Sequence, residues 1–217
     1  MPEQGRTTSV GLDQFFSAIF PKAAQGYIEV EAWQSKTRIF IPVNDRDAIT
    51  QFVLLHEKED VFFGAATRET PGDHATVQNC RDLWVLFVDV WFRETPEREA
   101  RSRLKTFPLR PSVIVAAGDH LQLYWQLRTV IPEARMDEDL YRLLRRFARR
   151  LGGDWCASMP HSMMRMPGSA NSRVPAAGVN AWCVPPPRVV IEVLRPERAY
   201  DLEEFFPHIS TPPGKRT

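Results

Sequence analysis

The stretch Leu83-Trp84-Val85-Leu86-Phe87-Val88-Asp89-Val90-Trp91-Phe92-Arg93-Glu94-Thr95-Pro96 decides how this chain is read. Leu83 to Val90 is almost wholly apolar and rich in β-branched and aromatic residues. That pattern predicts a central strand buried on both faces. Thr95 and Pro96 then predict a helix to about Lys105, with Thr95 as N-cap and Pro96 in the first helical position. Asp89 lies where strand gives way to helix. A buried acid there is costly unless it meets a metal or a hydrogen-bond donor. A strand end that simply meets water accounts for it equally well.

Elements of both kinds extend outward from this stretch. Upstream, Leu12–Phe20 and Asp45–His56 have apolar residues at helical spacing, and Tyr27–Trp33, Arg38–Ile41 and Val61–Ala66 read as strands. Downstream, Ser112–Ala116 and Leu121–Leu127 predict a hairpin around Ala117–His120, with Gln122 and Tyr124 on one face. Met136–Leu151 predicts a basic helix closed by Gly152-Gly153. A long loop follows, then a strand over Arg188–Leu194 and a short helix over Asp201–Phe206. The fold class expected is α+β, a mixed arrangement with a central, mostly antiparallel sheet flanked by helices. Residues 11–209 form one domain, with a disordered lead over 1–10 and a flexible tail over 210–217.

The composition is that of an ordinary globular protein: 217 residues, 43% hydrophobic, 25% charged, net charge +1. A polyanion surface must therefore arise from local clustering. Cys80, Cys156 and Cys183 form no CxxC pair, which argues against a disulfide framework or zinc knuckle and fits a reducing cytoplasm. No signal peptide or membrane span is expected.

Two further segments carry chemistry. Arg165-Met166-Pro167-Gly168-Ser169-Ala170-Asn171-Ser172-Arg173 gathers phosphate- and sugar-binding donors, Arg165, Asn171 and Arg173, around a Pro-Gly turn. A surface turn with solvated arginines fits the same residues. Arg142, Arg145, Arg146 and Arg149 repeat at helical spacing and predict a stripe for contact with nucleic acid.

In order and spacing these segments resemble the archaeo-eukaryotic primases, in particular the RepB-like primase-polymerase domains of plasmid and phage replication proteins. The resemblance runs from about Leu12 to Phe206. Val61-Phe62-Phe63-Gly64 with Arg68 resembles the strand before the first acidic motif. Asp89-Val90-Trp91 resembles a DxD motif, Ser112 to Trp125 resembles the second motif with its histidine before a Tyr-Trp pair, and Arg165 to Arg173 resembles an R-x-P-G-x-x-N-x-(K/R) segment. The resemblance implies a primase-like fold, Mg2+ or Mn2+ held by Asp89 and Asp154, and nucleoside triphosphates and DNA or RNA as ligands. A replication partner such as a helicase is implied as well. Ser112, His120, Gln122, Arg165, Asn171 and Arg173 fall at positions for binding nucleotide or phosphate.

The sequence departs from the family pattern at two places. Residues i and i+2 of a strand face the same way, so DxD presents two carboxylates together. Here the second position is Trp91, and an indole cannot ligate magnesium. Trp91 either stacks on a base or fills the abandoned metal site. Gln122 stands at the histidine position and cannot carry positive charge. His120, two residues earlier, either substitutes for it or belongs to the turn. The reading is a primase-like domain of a replication or mobile-element protein with weakened or lost nucleotidyl transfer, a pseudoenzyme. Its rivals are an active primase with an atypical metal site and a non-catalytic module that docks a protein.

Overall fold

A computed structural model describes residues 3–72, 77–174 and 186–209, the side chains of 3–10 and 77 excepted. Two sheets organise the chain. The first has the order β2 (Thr37–Pro42), β1 (Tyr27–Ala32), β3 (Val61–Gly64), β7 (Met163–Arg165), all antiparallel. The second runs β4 (Asp82–Trp91), β6 (His120–Pro132), β5 (Val113–Ala116), β8 (Val190–Leu194), again antiparallel, and β9 (Ala199–Tyr200) adds a parallel pairing to β6. The helices are α1 (Glu3–Ile19), α2 (Arg46–Leu55), α3 (Glu97–Thr106), α4 (Glu138–Leu151) and α5 (Phe206–Ile209). The α+β class is as expected, with two sheets in place of one central sheet.

Alternation along β4 and β6 sorts their side chains into two faces. Leu86 and Val88 lie opposite Trp125 and Leu123 on one face. Trp125 packs edge-on against Phe147 of α4 at 4.7 Å and against Phe107 at 6.1 Å. Phe87 and Asp89 lie opposite Tyr124 and Gln122 on the other face. There Tyr124 meets Phe15 of α1 at 5.9 Å and Phe63 of the first sheet at 6.5 Å. The core is therefore two apolar layers, one on each face of the second sheet.

Several elements differ from the sequence reading. β4 is buried over 83–90, but it lies at the outer end of its sheet, and β6 is the central strand. Its burial comes from α4 on one face and the first sheet and α1 on the other, a cover that an apolar run cannot distinguish from a central position. Thr95 does not cap α3: the N-cap is Pro96, and the Thr95 hydroxyl instead donates to the Gly152 carbonyl at 2.7 Å. The loop after α4 contains β7, too short to show a period. α4 starts from Asp137, whose carboxylate accepts from the N–H groups of Asp139 and Leu140. α1 runs back to Glu3, into the stretch read as a loose lead, and the last helix is a 3-10 turn over Leu202–Phe205 followed by α5. The expected tail over 210–217 and Cys183 lie outside the described residues.

The first sheet is tied to the start of β4 through Arg68. Its side chain is fully buried and donates from Nε to Glu29 Oε2 at 2.8 Å, from Nη1 to Cys80 Sγ at 2.9 Å and from Nη2 to the His161 carbonyl at 3.2 Å. Its backbone exchanges two hydrogen bonds with Tyr27. Three donors aimed at three segments suit the planar guanidinium fork and no other side chain.

Candidate functional site

The inner face of the second sheet changes character along its strands. Phe87 and Tyr124 are fully buried, Tyr124 against Phe15 and Phe63; one pair further lie Asp89 and Gln122, and at the rim lie Trp91 and His120. Beyond Phe63 the cover is supplied by β7, through Gln122. With its amide oriented to satisfy both ends, Gln122 accepts from the Arg165 N–H at 2.8 Å and donates to the Arg165 carbonyl at 3.1 Å and the Tyr124 hydroxyl at 3.2 Å. It pairs with a peptide unit as a neighbouring strand does.

Asp89 is 7% exposed, and its Oδ1 has no hydrogen-bond partner. Burial, reinforced by the charges of Asp154 and Asp119, pushes its carboxyl up to about 8; the Arg165 charge and the Trp91 indole oppose the rise without cancelling it. His120 places Nε2 3.8 Å from Asp89 Oδ1, and its Nδ1 is 2.7 Å from Asp119 Oδ1. Burial depresses the imidazole, so the ring stays neutral more readily than usual. Trp91 stacks on His120 with centroids 4.2 Å apart and planes at 22°.

Asp154 reaches this point because two glycines precede it. Gly152 caps α4 in the left-handed region at φ 78°. Gly153 then presses against β4, and the Asp154 N–H donates to the Asp89 carbonyl at 2.7 Å. A Cβ on Gly153 would fall 2.3 Å from Val88 Cγ1 and 2.8 Å from the Asp89 carbonyl oxygen. Gly153→Ala is therefore expected to push Asp154 off the strand and destabilise the protein by about 1–3 kcal/mol, measured by thermal melting. An unchanged melting temperature would show that this approach is loose.

The donor-rich segment is engaged from within. Asn171 is buried, donating to the Ala117 carbonyl at 2.5 Å and to Asp119 Oδ1 at 2.8 Å. Arg165 is ion-paired with the buried Asp60 and lies over Phe62 at 4.9 Å. Burial alone would raise the Asp60 carboxyl, but hydrogen bonds from Ser172, Arg165 and Gln34 outweigh it and hold it below the usual range. Arg173 is exposed, with its guanidinium 5.7 Å from the Trp91 ring centroid. Arg165, Arg173, Trp33 and Phe62 are among the residues lining an adjoining cleft of about 570 Å³.

Asp89, Trp91, His120, Gln122, Asp154, Arg165, Asn171 and Arg173 thus converge on one rim. Ser112 lies elsewhere, donating to the Arg198 carbonyl at 2.5 Å and accepting from the Gln126 N–H at 2.9 Å. The α4 arginines share one face of the helix but divide between two sets of neighbours. Arg145 and Arg149 reach Trp155, at 5.9 and 5.2 Å, beside Asp154. Arg142 pairs with Glu138 and Asp139 at 3.4 Å, and with Arg146 it borders Phe206 and Ile209. The sequence reading missed Asp60, Arg93, Trp33 and Trp155; for Trp155, its position beside Asp154 was the available signal.

The side chains do not fit a two-metal centre. The indole of Trp91 occupies the second carboxylate position, and among the described residues no group of three or more His, Cys, Asp or Glu is placed to hold a metal ion. No described helix is long and apolar enough to cross a membrane.

No protein-family model and no curated protein matches the chain. Solved structures do. The primase-polymerase domain of cyanophage S-2L superposes with a TM-score of 0.61 at 12% identity, covering 92% of this chain and 97% of that one. The primase RepB′ superposes with a TM-score of 0.55 at 13% identity over 88% of this chain and 58% of that one. The RepB′ catalytic domain in complex with initiator DNA gives 0.52 at 12% identity over 88% and 87%. With Asp89 on the outer strand of one sheet and the donor-rich turn following the edge strand of the other, the chain has the fold of an archaeo-eukaryotic primase domain.

Proposed function

We propose that this chain is a primase-polymerase-like domain of a replication or mobile-element protein that binds nucleotides and nucleic acid with weakened or lost nucleotidyl transfer. The observation that carries the reading is the stack of Trp91 on His120, two residues from Asp89. Phosphoryl transfer by two metals needs oxygen ligands facing the same way at those two positions. Asp89 and Asp154 together offer at most one Mg2+ or Mn2+ site, which would supply charge neutralisation on a phosphate. The remaining residues bind and orient: Asp60 holds Arg165 against Phe62, Asn171 holds the turn, and Arg173 stays exposed at the cleft.

Trp155, 44% exposed and contacted by Arg145 and Arg149, supplies a stacking surface with two cations for single-stranded nucleic acid. Replacing both arginines by Glu is expected to weaken binding of a fluorescent single-stranded DNA by about tenfold or more. The slope of log affinity against log salt should fall by about 1.4, because two phosphate contacts are lost. A primer-extension assay with Mg2+ or Mn2+ is expected to give no product. Product that disappears in Asp89→Ala would overturn the degraded centre. If neither DNA nor nucleotide binds, the fold serves to dock a protein partner instead.

A further inference from the structure

The Trp91 ring has a second set of neighbours. His120 lies nearly parallel over one face, and two guanidinium carbons, those of Arg93 and Arg173, lie over the ring at 4.9 and 5.7 Å from its centroid. Two cations drawn to one ring repel each other unless an anion lies between them. Among the described residues no carboxylate pairs with both arginines. Among the described residues Arg93 has one ion pair, to Glu94 at 3.5 Å with both side chains at least half exposed, and Arg173 has none. The nearby Asp119 turns its Oδ1 to His120 and Asn171 and makes no ion pair with either arginine. A guanidinium stacked on an indole engages its flat face and leaves its edge, the fork of N–H donors that matches phosphate, open to a ligand.

We infer that Arg93 and Arg173, seated on Trp91, form a clamp that binds the phosphate chain of a nucleotide without a divalent cation. The inference rests on the nucleotide-binding reading above and gives Trp91 a task. Where a carboxylate would recruit a metal to neutralise phosphate, the indole recruits two guanidinium groups that neutralise it directly. The cleft of about 570 Å³ that Arg173 lines offers the attached nucleoside the aromatic walls of Phe62 and of Trp33, itself 62% exposed. Arg165 is already committed to Asp60, so the contact with phosphate falls to the two exposed arginines.

The test is calorimetric titration of the whole chain with ATP, in EDTA and in Mg2+, with inorganic tripolyphosphate and adenosine as further probes. ATP is expected to bind in EDTA about as tightly as in Mg2+, tripolyphosphate to compete with it, and adenosine to bind far more weakly. Arg93→Gln and Arg173→Gln should each weaken ATP roughly tenfold, the loss of one charge-assisted contact. Both residues are exposed, so unchanged melting temperatures will separate this loss from unfolding. Trp91→Asp should make ATP binding depend on Mg2+. ATP binding that requires Mg2+ in the parent protein, or that survives both arginine replacements, overturns the inference. Single-stranded DNA is titrated in parallel. DNA binding without ATP binding sinks the clamp alone, whereas the absence of both sinks the proposed function with it.

Discussion

Arg68→Met should lower the unfolding free energy by about 3–5 kcal/mol, the cost of leaving a buried carboxylate without its partner. For a chain of this size that corresponds to a fall in melting temperature of roughly 6–20 °C. Both side chains of the Arg68–Glu29 pair are fully buried. Without the guanidinium, the one ion pair left to Glu29 among the described residues is with Arg38, whose Nε lies 3.5 Å from Oε1. The Cys80 sulfur and the His161 carbonyl lose a donor at the same time. Adding Glu29→Gln to Arg68→Met should recover a large part of the loss, because it removes the stranded charge rather than the packing. Urea melts of the two single variants and the double variant give the coupling. If Arg68→Met costs less than about 1 kcal/mol, water reaches the pair and the two segments it joins are not held by it.

The second large effect concerns pH. Burial, then Asp154 and Asp119, raise the Asp89 carboxyl to about 8. A carboxyl whose folded value lies above its unfolded one holds its proton better in the native state. Its contribution to stability is full below the ordinary carboxylate range and is lost as pH rises through about 8. Between those limits this one group should lower stability by about 1.4 kcal/mol per pH unit. His120, whose value burial lowers, acts in the opposite sense at and below the usual imidazole range, so the Asp89 slope is best read above neutrality. Asp89→Asn keeps the shape and removes the titration. The variant should be more stable than the parent by several kcal/mol near pH 8, with the gap closing toward acid. The measurement is urea melting across this range with a chelator present. Parallel pH profiles for the two proteins would show that Asp89 is already ionised.

What could be read in advance follows from how far apart the deciding residues lie in sequence. The apolar run ending at Asp89 announces a buried strand, and the Gly152-Gly153 pair announces where α4 stops. The sharing of a face along one strand followed from alternation, which put Gln122 and Tyr124 together on β6, and a hydrogen bond joins them. The edge position of β4 was not legible, because burial by a helix and burial by neighbouring strands leave the same apolar signature. β7 has three residues and no period to detect. Arg68 was marked in the sequence by its place after the Val61–Gly64 strand, but its burial against Glu29 shows only in the closed fold. Arg93 and Arg173 lie on separate segments, and only the folded chain brings both to the Trp91 ring.

The amide of Gln122, clipped to the backbone of Arg165, fastens one sheet to the other. Imidazole cannot copy an amide's adjacent donor and acceptor, so exchanging Gln122 for histidine would unfasten the seam between the sheets. Histidine at this position therefore makes a less stable protein unless β7 is anchored in some other way.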